Sequence, residues 1–286
     1  MRILLVSLVT IVMCSGSYAA DLRELEEKIE ALTNEIANMK EKMALPAAAE
    51  KSFGGMGLGA SKVYFSQSPL SIGGYGELIV QNTQGEGVDK TDALRLIPYI
   101  GYRFNDWIIF NSEIEFEHSG IFGKSRTATD SGGDTVKVTE PAGEVVVEFA
   151  YLDFLVAKNL NVRVGHVLLP FGITNLQHEP TLIPSVNRSE VEKNIIPTTW
   201  HENGVLVHGE WNDFSYSIGL VNSMDAANFS DSSWIRSGRQ KGAEAKAEDW
   251  ATVARLDWLA VHDLTLGMSF YNGDSGQGSA AIGDAT

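Results

Sequence analysis

Histidine, which serves as a general base and as a metal ligand, is the residue type in this sequence most suited to chemistry near neutral pH. The chain carries six histidines, at His118, His166, His178, His201, His208 and His262. None is followed four residues later by another histidine, as in a helical zinc motif. The G-x-S-x-G pattern that presents a nucleophilic serine is also absent. The sequence therefore predicts no catalytic site, no bound metal and no cofactor.

Charged side chains form a second set, and they recur at every other position. Glu113, Glu115 and Glu117 are separated by the apolar residues Ile114 and Phe116. A period of two residues is typical of a β-strand, in which successive side chains point to opposite faces. One face of this strand is therefore acidic and the other is apolar. In a channel, rings of acidic side chains favour cations and rings of arginine favour anions.

We predict that the charged face lines an aqueous pore. The candidate pore-lining residues are Arg95, Arg103, Glu113, Glu115, Glu117, Glu148, His166, Arg255 and Asp257. Arg163 and His166 fall on opposite faces of their strand. We place His166 in the pore because Arg163, close to a turn, can extend to the membrane surface. The wider set of inward positions has nine acids and three arginines, which predicts a weak cation preference or none.

Nine segments of the chain carry this alternation. They are residues 70–81, 92–104, 107–118, 143–157, 160–169, 200–211, 214–221, 249–259 and 264–271. At about ten residues each, they exceed the usual globular strand and match the tilted strand that crosses an outer membrane. The predicted fold class is therefore all-β and antiparallel.

Short polar turns alternate with long polar loops along this part of the chain. The turns are at residues 105–106, 158–159, 212–213 and 262–263, and the loops are at 119–142, 170–199 and 222–248. Short turns on one side and long loops on the other are typical of an outer-membrane β-barrel. A soluble β-sandwich, which is the alternative, has no reason to alternate its connections in this way. We therefore predict a transmembrane β-barrel with its short turns in the periplasm.

Three segments precede the strands. Residues 1–19 have the basic start, apolar centre and small-residue cleavage site of a signal peptide, which predicts export to the bacterial outer membrane. Residues 20–43 carry apolar residues at heptad spacing and predict a periplasmic coiled coil, the alternative being an amphipathic helix packed on its own domain. Residues 44–69 are rich in alanine, glycine and serine and predict a flexible linker. Residues 70–286 then form the barrel domain.

The composition excludes several other classes of protein. The 37 acidic and 22 basic residues give a net charge of −15, which argues against nucleic-acid binding because phosphates require clustered lysine and arginine. A single cysteine cannot form a disulfide within the chain. No apolar run approaches the length of a membrane-spanning helix.

Two short motifs resemble those of a known family. The stretch Val162–Gly172, which ends in Pro170-Phe171-Gly172, and the stretch Ile72–Gly76 are similar to those of phosphate-selective porin O/P-type outer-membrane porins. The resemblance implies a barrel of about sixteen strands, assembled as a homotrimer in outer-membrane lipid. Since nine strands are about half of that number, we interpret residues 70–286 as the N-terminal half of a barrel whose C-terminal strands are missing.

The predicted function is that of a porin, a water-filled channel for the passive diffusion of small ions or solutes. Two alternatives remain open. The barrel could be structural and tether the outer membrane to the periplasm or the cell wall through the coiled coil. It could also be a barrel-embedded hydrolase that brings a Ser/His pair together from distant strands.

Overall fold

The computed structural model describes most of the chain, namely residues 23–36, 51–85, 89–119, 125–129, 132, 135–139, 143–185, 187–262 and 264–282. The chain separates into two units, Met1–Ala47 and Ala48–Thr286. The predicted signal peptide lies outside the described residues. Among the helices that are described, none has the length and apolar character needed to cross a bilayer.

Helix α1 occupies residues 23–36 of the first unit. Its apolar residues Leu25, Ile29, Leu32 and Ile36 recur at three- and four-residue spacing, and each is more than half exposed. An exposed apolar stripe of this spacing is the surface that a second helix covers in a coiled coil. The helix itself agrees with the sequence analysis, and its pairing stays a prediction.

The second unit is built on a nine-stranded antiparallel sheet. The described strands are β1 Leu70–Gln81, β2 Lys90–Arg103, β3 Ile108–Glu117, β4 Ser125–Thr129, β5 Thr135–Thr139, β6 Val145–Ala157, β7 Leu160–Leu168, β8 His201–Trp211, β9 Phe214–Asn222, β10 Trp250–Val261 and β11 Leu264–Gly273. The sheet order is β1-β2-β3-β6-β7-β8-β9-β10-β11, while β4 and β5 form a separate hairpin within the predicted loop 119–142. The predicted all-β, antiparallel arrangement of nine strands is confirmed.

The two faces of the sheet are unusual because apolar residues are exposed and charged residues are buried. Leu78 and Met268, for example, are 71% and 69% exposed, whereas Glu113, Asp153 and Glu202 are fully buried. We call the face with the buried charges the inner face and the opposite one the outer face. This division follows the alternation in the sequence, and the inner face is covered by other parts of the same unit.

One covering element is helix α2, Leu58–Phe65. It lies in the segment 44–69 that was expected to be a flexible linker, and that expectation is wrong over residues 51–69. The buried apolar residues of this segment recur at helical spacing, at Met56, Ala60, Val63 and Tyr64. Met56 and Ala60 belong to the same buried cluster as Tyr99 and Tyr151 of the sheet, and Val63 and Tyr64 cluster with Ile109. Glycine-rich composition concealed this apolar stripe, whose burial depends on the sheet.

Two residues of β2 fix α2 in place. A Cβ atom at Gly101 would lie only 2.6 Å from the Val63 side chain, so glycine permits the close approach of helix and strand. Arg103 donates hydrogen bonds to the carbonyl oxygens of Val63 and Tyr64 at 3.3 and 2.6 Å. A cation is favourable at the C-terminal end of a helix. Arg103, which was predicted to line the pore, therefore contacts the C-terminal end of α2.

Candidate functional site

A cavity of about 680 Å³ opens on the inner face and carries charges of both signs. Its acidic residues are Glu77, Glu115, Glu117, Glu144 and Glu148. Its basic residues are Arg95, Arg188, Lys193, Arg236, Arg239 and Lys241. The acids come from strands β1, β3 and β6 or from the residue before β6, whereas all the basic residues except Arg95 come from the connections between strands.

Arg95 organises the acidic side of the cavity. Its Nε atom is 3.0 Å from Glu77 Oε2, and its Nη1 atom is 3.1 Å from Glu115 Oε1. The register of the sheet also places Arg95 opposite Glu77 on β1 and opposite Glu117 on β3. Opposite charges at such positions stabilise a strand pair. Arg95 thus forms ion pairs with two glutamates and lies opposite a third in the ladder, so this wall presents one arginine among three acidic side chains.

Three arginines form the basic side of the cavity and converge on residues 198 and 199. Arg188 donates to Thr199 Oγ1 at 2.7 Å. Arg236 and Arg239 both donate to the Thr198 carbonyl oxygen, at 3.0 and 2.6 Å. Within the part of the chain that the structure describes, none of the three forms an ion pair with a carboxylate. We call these residues the arginine cluster.

Burial and mutual repulsion in the arginine cluster destabilise the charged guanidinium groups. Burial and the neighbouring charges of Arg236 and Arg188 lower the pKa of Arg239 to about 10. Burial and the charge of Arg188 lower the pKa of Arg236 as well. A nearby anion would relieve this repulsion. The cavity lining therefore includes basic residues that attract anions and acidic residues that attract cations.

A compact cluster of Glu113, Glu148 and His178 lies where the connection 170–199 meets the sheet. His178 Nε2 is 2.6 Å from Glu148 Oε2 and 3.5 Å from Glu113 Oε1, and all three residues are buried. Burial disfavours the imidazolium form, but attraction to Glu148 and Glu113 and hydrogen bonds to both raise the pKa of His178 well above its usual value. Among the described residues, these three have ligand atoms close enough together to hold a metal ion.

Five of the predicted pore-lining residues meet in this region. Arg95, Glu115, Glu117 and Glu148 line the cavity. Glu113 lies with Glu148 at the Nε2 atom of His178, without lining the cavity itself. The alternation in β3 correctly placed its glutamates on one face, because strand periodicity is fixed by local sequence.

Arg163 and His166 differ from the expectation that Arg163 reaches the membrane surface and His166 lines the pore. Arg163 does not extend to a surface but is buried, and its Nη2 atom is 2.8 Å from Asp153 Oδ2. The buried carboxylate compensates the guanidinium charge and holds it on the inner face. His166 is half-buried and not part of the cavity lining, and its ring nitrogens lie 2.8 Å from Asn203 Oδ1 and 2.6 Å from His201 Nδ1.

The last two predicted residues, Arg255 and Asp257, are away from the cavity lining and pair with each other. Arg255 Nε is 2.7 Å from Asp257 Oδ2, and its Nη2 is 2.8 Å from Asp257 Oδ1. Arg255 also donates to the Gly172 carbonyl oxygen. This bidentate pair therefore ties the start of the connection 170–199 to β10.

His178 and the arginine cluster were not predicted from the sequence, because all four residues belong to connections whose path across the inner face is set by tertiary packing. One signal was available. Arg236, Arg239 and Lys241 fall within six residues of a strongly acidic chain. Basic residues concentrated in this way could have been recognised as a local positive patch.

Comparison with known proteins gives one curated relative and no matching family model. The relative is an uncharacterized protein of Aquifex aeolicus (strain VF5), with 40% identity over 226 residues. The match covers 78% of this chain and 48% of the relative. The chain thus spans about half the length of the curated relative that it matches.

Proposed function

We propose that this chain forms the wall of an outer-membrane porin, a water-filled channel for the passive diffusion of small ions or solutes. The observation that carries the proposal is the inverted sheet, with large apolar side chains exposed on its outer face and charged ones buried on its inner face. In water the hydrophobic effect favours the reverse distribution. Lipid against the outer face would remove this conflict, and alternating apolar-out, polar-in strands are typical of membrane barrels.

The length and order of the strands support the same proposal. Most of the nine strands have nine to thirteen residues, close to the tilted length that crosses a bilayer. Apart from the separate β4–β5 hairpin, the strands pair in the order in which they follow one another along the chain, as in an up-and-down barrel. The proposal includes closure into a barrel, a trimer and a periplasmic coiled coil, as the resemblance to phosphate-selective porin O/P-type porins implies.

The charged walls of the cavity favour weak ionic selectivity. The expectation from the strands was nine acids against three arginines, but the cavity is lined by five acidic and six basic residues. Cations would pass along the glutamate side and anions along the arginine cluster. We therefore propose that small hydrophilic solutes of either charge pass, with anions slightly favoured because the cluster has no carboxylate partner among the described residues.

A specific observation also favours a second role, that of a structural tether. The apolar stripe of α1 is exposed and offers a surface for helix pairing outside the sheet. A helix that pairs in the periplasm would hold the barrel to a partner or to the cell wall. Co-sedimentation of the protein with isolated cell wall tests this role without reference to conductance.

Conductance in a planar lipid bilayer tests the channel proposal. Protein purified from outer membranes should give discrete conductance steps with a reversal potential near zero in a salt gradient. Glu117→Gln should shift that potential toward anion selectivity because it removes a charge from the cavity wall. Asp106→Asn, in an exposed turn, serves as the matched control and should leave it unchanged. Absence of conductance, or recovery of the protein only from the soluble fraction, would contradict the proposal.

A further inference from the structure

The cluster of Glu113, Glu148 and His178 has features that a channel wall does not require. Glu113 lies on β3, Glu148 on β6, and His178 in the connection between β7 and β8. Three elements distant in sequence thus place two carboxylates and one imidazole where their ligand atoms lie within 4.8 Å of one another. All three side chains are buried, so solvation by bulk water does not explain the grouping.

A β-bulge directs Glu148 into the cluster. Glu113 pairs with Phe149, but the next residue of β3, Ile114, pairs with Val147, so Glu148 is left without a partner in the ladder. As a result Glu148 and Phe149, although consecutive, are both buried on the inner face. Bulges are found next to functional sites, where they redirect a side chain. Regular alternation would not place both residues on the same face.

The imidazole of His178 is oriented as in a metal ligand. Its Nδ1 atom lies 3.1 Å from the carbonyl oxygen of Asn175. A carbonyl oxygen only accepts, so Nδ1 carries the proton and Nε2 faces the two carboxylates. Histidines that bind metals commonly donate their other ring N–H to a backbone carbonyl in this way, which fixes both the tautomer and the ring plane.

Glu113 gives an independent reason to expect a cation beside the cluster. Its Oε1 atom accepts a hydrogen bond from the Tyr99 hydroxyl at 2.9 Å. Its Oε2 atom is buried and has no hydrogen-bond partner. An unpartnered buried carboxylate oxygen is costly. A single imidazolium also compensates only one of the two carboxylate charges in the cluster, whereas a divalent cation would compensate both.

We propose that Glu113, Glu148 and His178 form a binding site for a divalent first-row transition metal ion. Two carboxylate oxygens and one imidazole nitrogen are a ligand set that suits Zn²⁺ and its neighbours in the series. With bonds of about 2.0 Å, ligand atoms on a tetrahedral Zn²⁺ lie roughly 3.3 Å apart. The observed distances from His178 Nε2, 2.6 and 3.5 Å, require only a small adjustment.

The bound ion would fasten the connection 170–199 to strands β3 and β6 at one point. Three protein ligands leave a fourth coordination position for water or a solute. The site does not depend on the channel proposal, because it rests only on contacts within the folded chain.

Zn²⁺ binding to the metal-stripped, detergent-solubilised full chain tests the site. Equilibrium dialysis should show one tightly bound Zn²⁺ per chain. Glu113→Gln and His178→Gln should each weaken binding by more than about tenfold, since loss of even a supporting residue has an effect of that size. Glu202→Gln is the matched control, because Glu202 is also buried with an unpartnered Oε2 atom but lies outside the cluster. Equal Zn²⁺ affinity in His178→Gln and the unsubstituted protein would overturn the proposal.

A second measurement needs no substitution and covers the case in which the variants do not fold. Co²⁺ added to the metal-stripped protein should give the intense visible absorption of a four- or five-coordinate ion, and Zn²⁺ should abolish it. A spectrum no different from that of aqueous Co²⁺, recorded on protein with native near-ultraviolet circular dichroism, would refute the site.

Discussion

The substitution Asp153→Asn should destabilise the fold strongly, because Asp153 joins α2 to the sheet. Its Oδ2 atom accepts hydrogen bonds from the Tyr64 hydroxyl at 2.6 Å and from Arg163 Nη2 at 2.8 Å. Its Oδ1 atom accepts from His208 Nε2 at 2.9 Å. One buried carboxylate thus connects the helix with β6, β7 and β8.

The size of the effect follows from the charge that the substitution leaves behind. Arg163 is buried, and without the Asp153 carboxylate its guanidinium has no compensating anion. Breaking a buried ion pair by removing one partner costs about 3–5 kcal/mol. The Tyr151 ring, 4.3 Å below the guanidinium, offsets part of this loss. We therefore expect Asp153→Asn to lower the free energy of unfolding by about 3 kcal/mol, the lower end of that range. This corresponds to roughly a hundredfold change in the unfolding equilibrium.

Denaturant unfolding in detergent, followed by tryptophan fluorescence, measures this free energy. Glu210→Gln is the matched control, because Glu210 is 3.6 Å from Lys158 with both side chains more than half exposed. Such a pair should contribute less than about 1 kcal/mol. The double variant Asp153→Asn/Arg163→Met should lose less stability than the sum of the losses in Asp153→Asn and Arg163→Met. If Asp153→Asn changes the free energy of unfolding no more than the control does, the reasoning is refuted.

Three further predictions concern the outer face, the arginine cluster and the packing of α2. If Leu96 faces the centre of the bilayer, as the proposed barrel requires, Leu96→Arg should destabilise the membrane-inserted protein by about 2–4 kcal/mol. Unfolding from lipid vesicles measures this change, and an unchanged stability would contradict the lipid exposure of Leu96. Because burial and the charges of Arg236 and Arg188 lower the pKa of Arg239 to about 10, raising the pH through that value should reduce its positive charge and, in the proposed channel, shift the reversal potential toward cations. The same pH titration of Arg239→Gln should show a smaller shift of the reversal potential, and equal shifts in the two proteins would contradict the assignment of this titration to Arg239. Gly101→Ala should lower the stability of the fold by about 1–3 kcal/mol, because the added methyl group overpacks against Val63. Val63→Ala combined with Gly101→Ala should restore part of that stability, as measured by thermal unfolding.

The strands could be predicted from the sequence because their signals are local. Period-two alternation and the polar turns between segments gave all nine strands of the sheet to within two residues at each end. Antiparallel strands that follow one another in the sheet can then pair directly, without a crossover connection. The same local logic placed Glu113, Glu115 and Glu117 together on the inner face.

The features that sequence analysis missed depend on contacts between distant segments. The apolar stripe of α2 has helical spacing, but its burial required knowledge of the sheet behind it. The bulge at Glu148 interrupts the alternation of β6, so Asp153 falls on the inner face although simple parity counted from Glu148 excludes it. Arg163 could not be placed correctly without that partner.

In the proposed channel, strands and connections would contribute opposite charges to the cavity. The strands and the residue before β6 supply every acidic residue of the lining and only Arg95 among the basic ones. The other five basic residues belong to the connections 170–199 and 222–248. Connections tolerate sequence change better than paired strands do, because fewer backbone hydrogen bonds constrain them. Ionic selectivity could therefore be altered by substitutions in these two connections alone, whereas changing the acidic wall would also disturb the Arg95 pairs that join β1, β2 and β3.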